Sequence, residues 1–182
     1  MIDRLKILDA LKDDEQYYGE FGQNYISNSD VGTLLKNPTQ FRKPQDDNVN
    51  FHKGRYFHQL ILEPEKAKET SFIDVSSRNT KAYKETAVNG IMMLEKEGPS
   101  IQEFNGVWWK GKADIVCPDK LIDLKTTGNI DDFKWSARKY NYDSQCYIYQ
   151  KLFGLPLEFY VVDKTTKRLG IFKPSEEFVA RG

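Results

Sequence analysis

The sequence predicts a mixed α/β domain of the α+β kind, with a central mixed β-sheet flanked by helices. Three observations carry that expectation. Helical patterning dominates residues 1–97, short β-prone runs separated by turn residues fill 101–126, and helix and then strand patterning return from 131 onward. That order suits one domain with both layers rather than a pure bundle or barrel. At 182 residues a single domain spanning 1–182 is expected.

Taken in order, residues 1–16 place Ile2, Leu5, Leu8 and Leu11 at three-residue intervals, which fits a short amphipathic helix. In ISNSDVGTLLKNPTQF, Ser27 or Ser29 is a candidate N-cap, Val31, Leu34 and Leu35 form the apolar stripe, and Pro38 follows the stop. Residues 43–50 read as a polar loop. A helix is expected from Phe51 to Leu62, halted near Pro64. Residues 71–75 are β-prone, and 79–97 read as another helix ending at Gly98-Pro99.

Asn105-Gly106 and Pro118-Asp119 then separate short apolar-rich segments, predicting a β-meander of about three strands. Residues 131–153 read as helix, with Phe133, Trp135, Ala137, Tyr140, Tyr147 and Phe153 as packing candidates. Strands are expected at FYVVD and LGIFK, joined by a turn at Lys164–Lys167.

Bulk composition narrows the function classes. Apolar residues are 39% and charged residues 30%, the balance of a globular chain rather than a disordered one. The net charge of zero advertises no basic field, although a local stripe of cations can hide in a balanced total. The two cysteines, Cys117 and Cys146, have no metal-cluster spacing and read as small buried hydrophobes. A charged N-terminus and short apolar runs lead us to expect a cytoplasmic protein with no membrane association.

The segment GKADIVCPDKLIDLKTT carries the chemistry. Asp114 lies on one expected strand, and Asp123-Leu124-Lys125 on the next. Alternation along a strand puts Asp123 and Lys125 on one face and Leu124 on the other. Carboxylates gathered on one face repel unless a cation sits among them, and oxygen ligands suit Mg²⁺ or Mn²⁺ better than zinc. The same alternation also occurs on solvated sheet edges. Here the apolar run LID-L-K argues against that reading.

Asp114 with Asp123-Leu124-Lys125 resembles the core of the PD-(D/E)XK nuclease superfamily, with Ala113 in place of the naming proline. The segment DLKTTGNIDDFKWSARKYNYDSQCYIYQKL is similar to the exonuclease VIII (RecE-type) group. Gln145 and Tyr149 match the Q-x-x-x-Y element of RecB-like nucleases. Upstream, ISNSDVGTLLKNPTQFRK and HKGRYFHQLILEPEKA resemble two further blocks of that group, the second placing His58 on its motif histidine.

The resemblance implies a restriction-endonuclease-like core and a Mg²⁺-dependent (or Mn²⁺-dependent) exonuclease on linear double-stranded DNA, acting 5′ to 3′ in phage-type recombination. One or two ions would be held by His58, Asp114, Asp123, the Leu124 carbonyl and Glu103. Lys125 would be catalytic, assisted by Gln145 and Tyr149. A single-strand annealing protein is the implied partner and a homo-oligomer the implied assembly. Two cysteines cannot build a four-cysteine iron–sulfur cluster, so none is expected.

Phosphate contact is expected from Arg55, Lys134, Arg138 and Lys139, with Arg42-Lys43 and Lys53 as further basic clusters. Each cluster alone also fits a solvated helix face. His52 has no motif support and reads as structural. Of Trp108 and Trp109, on successive faces of one strand, one is expected in the core and the other as a stacking surface for a base. Two alternatives stay open: a RecB-like endonuclease or single-strand nuclease, and a catalytically silent DNA-binding module of the same fold.

Overall fold

The computed structural model describes residues 3–43, 49–63 and 95–182, with the side chains at 49–53, 60 and 95–97 set aside. The element order is α1 (Arg4–Ala10), α2 (Asp14–Tyr18), α3 (Asn28–Lys36) and α4 (Val49–Leu62). Strands β1 (Glu95–Phe104), β2 (Val107–Val116) and β3 (Leu121–Thr127) come next, then α5 (Phe133–Lys139) and α6 (Tyr142–Phe153). Strands β4 (Leu157–Asp163) and β5 (Leu169–Phe172) lead to α7 (Glu176–Ala180). The five strands form one mixed sheet in chain order. β3 and β4 are parallel, linked by α5 and α6, and every other pairing is antiparallel.

Two layers bury the sheet. On one face Phe133, Ala137, Cys146, Ile148 and Leu152 pack on Leu121, Phe159 and Val161. On the other, Phe57, Ile61 and Leu62 of α4 cover Ile115, Ile122, Leu124 and Val162. β3 is therefore covered on both sides, and Leu121, Ile122 and Leu124 are fully buried. Burial of each such side chain stabilises the fold by roughly 1.5–3 kcal/mol.

The meander matches expectation. Asn105 and Gly106 both take positive φ (53° and 73°), the geometry of a tight hairpin turn. Ser27 caps α3 in a capping box with Asp30, satisfying otherwise orphaned N–H groups at the helix start. Ile26 bridges to Trp109 beside this cap, tying the start of α3 to β2.

Several boundaries differ. The N-terminal helix is two short ones, α1 and α2, each capped by its own aspartate (Asp3 and Asp13). α4 starts at Val49. Residues 95–97, expected at the end of a helix, belong to β1, and Gly98 and Pro99 lie inside that strand against Ala113 and Lys112. The β-prone run at 71–75 and the helix expected over 79–94 lie outside the described residues. The single helix expected over 131–153 is broken at Asn141, whose left-handed φ of 56° makes room for a change of direction. Trp135 and Tyr140, expected to pack, are exposed. No described helix is long and apolar enough to cross a membrane.

Candidate active site

β2 and β3 pair at only two positions, Ile115 with Ile122 and Val116 with Leu121. Beyond these the strands part, and the backbone of Leu124 loses the neighbour that β2 would have supplied. Two side chains take its place. Asp114 Oδ2 accepts the Leu124 N–H at 2.7 Å, and His58 Nε2 lies 2.8 Å from the Leu124 carbonyl oxygen. Buried peptide groups need partners, so the fork in the sheet fixes where Asp114 and His58 sit. His58 Nδ1 then faces Asp114 Oδ1 at 3.6 Å.

On the α6 side of β3, Asp123 is buried. Its Oδ1 accepts from Gln145 Nε2 at 2.5 Å, and its Oδ2 is 2.7 Å from Lys125 Nζ. Among the described residues that Oδ2 has no partner besides the Lys125 ammonium. The Lys125 ammonium rests over the rings of Tyr142 (4.8 Å) and Phe159 (5.8 Å).

Gly111 is what lets α6 come this close. A Cβ there would meet Leu152 Cδ1 at 2.6 Å and Tyr149 Cε2 at 3.3 Å. With glycine in place, Tyr149 OH donates to the Lys112 carbonyl at 3.0 Å, two residues before Asp114. Gln145 and Tyr149 are both buried, so they support the carboxylate strands from behind.

Electrostatics follow from burial. Asp114 is pushed up to about 6, first by burial and further by the Asp123 carboxylate, with His58 and Lys125 opposing. Burial alone would lower Lys125, but Asp123, Tyr142 and Asp114 outweigh it and hold the ammonium charged well above its ordinary range.

The donor set is two carboxylates, one carbonyl and one imidazole, gathered at the fork. Its hard oxygens fit a divalent cation chemically, and the burial of Asp114 and Asp123 beside one another makes a cation between them favourable. Among the described residues no three His, Cys, Asp or Glu side chains stand as a ready cluster. Asp123 leans on Lys125 instead, whose ammonium supplies the cationic partner.

Other expected site residues fall elsewhere. Glu103 does not join the fork: it pairs with Trp108 near the Asn105–Gly106 turn and is exposed. The register puts position 97 opposite Asp114, so Glu103 lies six residues, on the order of 20 Å, along β1. Arg55, Lys134, Arg138 and Lys139 are all exposed. Arg42 is structural, its guanidinium donating to the carbonyls of Gln23 and Tyr25.

Neither tryptophan of β2 offers a free ring. Trp109 stacks on Phe104 at 4.8 Å and donates Nε1–H to its carbonyl, and Trp108 packs against the Leu11, Tyr17 and Ile101 cluster. The exposed indole is that of Trp135. The run FKWSARK could have shown this, since burying Phe133 and Ala137 at i and i+4 turns Trp135 outward.

Residues 79–166 match the family model described as a PDDEXK-like domain of unknown function (DUF3799). No curated protein matches the chain. A solved structure of a protein from Eubacterium rectale, described as a candidate exonuclease, superposes with a TM-score of 0.69 at 18% identity. It covers 93% of this chain and 80% of its own. The structure of SSO0001 superposes with a TM-score of 0.52 at 17% identity, covering 99% of this chain and 83% of that one. The fold is thus the restriction-endonuclease-like one. Over residues 79–166 the chain is similar to a PDDEXK-like domain, in line with the resemblance carried by Asp114, Asp123 and Lys125.

Proposed function

We propose that this chain is a metal-dependent deoxyribonuclease that hydrolyses phosphodiester bonds of linear double-stranded DNA. The observation that carries the proposal is the fork in the sheet: it brings Asp114, His58 and the Leu124 carbonyl to one edge, with Asp123 and Lys125 beside them. The PD-(D/E)XK-like match and the exonuclease neighbour support a nuclease. The finer reading, 5′-to-3′ digestion for phage-type recombination by a homo-oligomer of single-domain subunits working with an annealing protein, rests on the exonuclease VIII resemblance.

Asp114, Asp123, the Leu124 carbonyl and His58 would hold Mg²⁺ or Mn²⁺. When bound, such an ion lowers the pKa of water and neutralises charge on phosphoryl oxygens. Lys125, beside the Asp123 carboxylate, would orient the nucleophile or neutralise charge on the phosphate. Gln145 holds the Asp123 carboxylate in its rotamer, and Tyr149 fixes the strand leading to Asp114. Arg55 lies one turn before His58 on α4, and Lys134, Arg138 and Lys139 lie on α5. These cations would grip the DNA backbone.

Incubation with Mg²⁺ of linear and covalently closed duplexes of equal sequence tests the activity. Wild type should degrade only the linear form, and Lys125→Ala should degrade neither. Equal attack on both forms would favour the endonuclease reading, and full activity of Lys125→Ala would overturn the catalytic assignment.

A further inference from the structure

A cleft of about 360 Å³ lies beside α5, walled by Lys134, Trp135 and Arg138 on one side and by Phe172 and Phe178 on the other. Trp135 is 56% exposed, which leaves a large apolar side chain in water. Lys134 Nζ lies 5.0 Å from its centroid and Arg138 Cζ 5.6 Å. Neither cation has a carboxylate partner within ion-pair reach among the described residues. The cleft's other cations are answered, Lys173 by Glu158 and Arg181 by Asp143, and Glu177 adds one carboxylate to the wall. The cleft's free positive charge is therefore concentrated around the exposed Trp135.

We infer that this cleft binds single-stranded DNA, one unpaired base stacking on Trp135 while Lys134 and Arg138 hold the flanking phosphates. An aromatic face flanked by unpaired cations matches a nucleotide's own pairing of ring and phosphate. A duplex can meet the two cations through its phosphates but offers Trp135 no free base face, since its bases are already stacked on each other. The choice of DNA rests on the nuclease reading of the nearby site.

The location suits a strand leaving that site. Phe133 packs against Phe159 (6.4 Å), which lies under the Lys125 ammonium, and also against Phe172 (5.6 Å) of the cleft wall. The cleft and the candidate site thus stand on two sides of one aromatic layer.

The test is fluorescence anisotropy of labelled oligothymidylate, with a labelled blunt duplex alongside, titrated with the full chain in EDTA so that no strand is cut. Trp135→Ala should weaken oligothymidylate binding about tenfold, Trp135→Phe should restore most of it, and duplex binding should change less than twofold. Replacing both Lys134 and Arg138 with Gln should flatten the salt dependence for the single strand by about 1.4 in log–log slope. Because Trp135 is exposed, circular dichroism should show every variant folded. Wild-type affinity in Trp135→Ala, or equal weakening for strand and duplex, overturns the inference. The nuclease reading is judged separately by cleavage with Mg²⁺ in Asp123→Ala, so either can fail without the other.

Discussion

Gln145 Nε2 donates to Asp123 Oδ1 at 2.5 Å, linking the first turn of α6 to the acidic strand. Both groups are buried, so the amide is the fixed partner of that carboxylate oxygen. Gln145→Ala should lower kcat about 10- to 100-fold with little change in KM, because the residue positions Asp123 and touches no substrate. It should also cost about 1–3 kcal/mol in stability by orphaning a buried acceptor. Steady-state kinetics and urea unfolding measure the two effects, and Gln145→Asn should not restore kcat, being one methylene too short.

Asp114 should shape the stability of the metal-free protein. Its folded pKa of about 6 lies above the unfolded value near 3.9, so the folded state takes up a proton first on acidification. The stabilising effect is complete below about pH 4 and is lost as pH rises through 6, at most ~3 kcal/mol in all. Urea unfolding in EDTA between pH 4 and 7 should show this slope in wild type and not in Asp114→Asn. Competition between that proton and a cation also predicts weaker Mg²⁺ binding below pH 6.

Asp163 should act in the opposite sense. Its carboxylate accepts the N–H groups of Ile130, Thr165 and Thr166 at 2.8–3.0 Å, joining the loop after β3 to the β4–β5 turn. Those N–H groups, the Thr166 one foremost, hold it at about 2. Its contribution is present above the unfolded pKa near 3.9 and fades as pH falls toward 2. Acid unfolding followed by circular dichroism should begin at higher pH in Asp163→Ala than in wild type.

His58 and Glu103 make a contrasting pair. His58 completes the Leu124 carbonyl at the fork, while Glu103 is exposed at the far end of β1. His58→Ala should raise the Mg²⁺ concentration needed for half-maximal cleavage at least tenfold. Glu103→Ala should retain wild-type activity. Metal titrations of cleavage rate compare them directly.

Much of this geometry was legible in the sequence. The D-x-K alternation on an apolar strand placed Asp123 and Lys125 on one face, and the Asn-Gly turn set the hairpin that carries Asp114. The i, i+4 spacing put Gln145 and Tyr149 on one helical face, although their burial was not visible. What stayed hidden depended on tertiary contacts. The parting of β2 and β3 that makes Asp114 and His58 serve Leu124 has no local signal. Glu103 looked available because the distance along a strand is invisible until the register is known. Trp135 was the exception: its bulk suggested packing, but burying Phe133 and Ala137 at i and i+4 already turns it to solvent between Lys134 and Arg138.

The central claim is that the fork residues cut DNA, and digestion of a 5′-end-labelled linear duplex tests it most directly. Wild type should release label with Mg²⁺ and release none in EDTA, and Asp123→Ala should release none in either. Equal release by Asp123→Ala with Mg²⁺ would contradict the account.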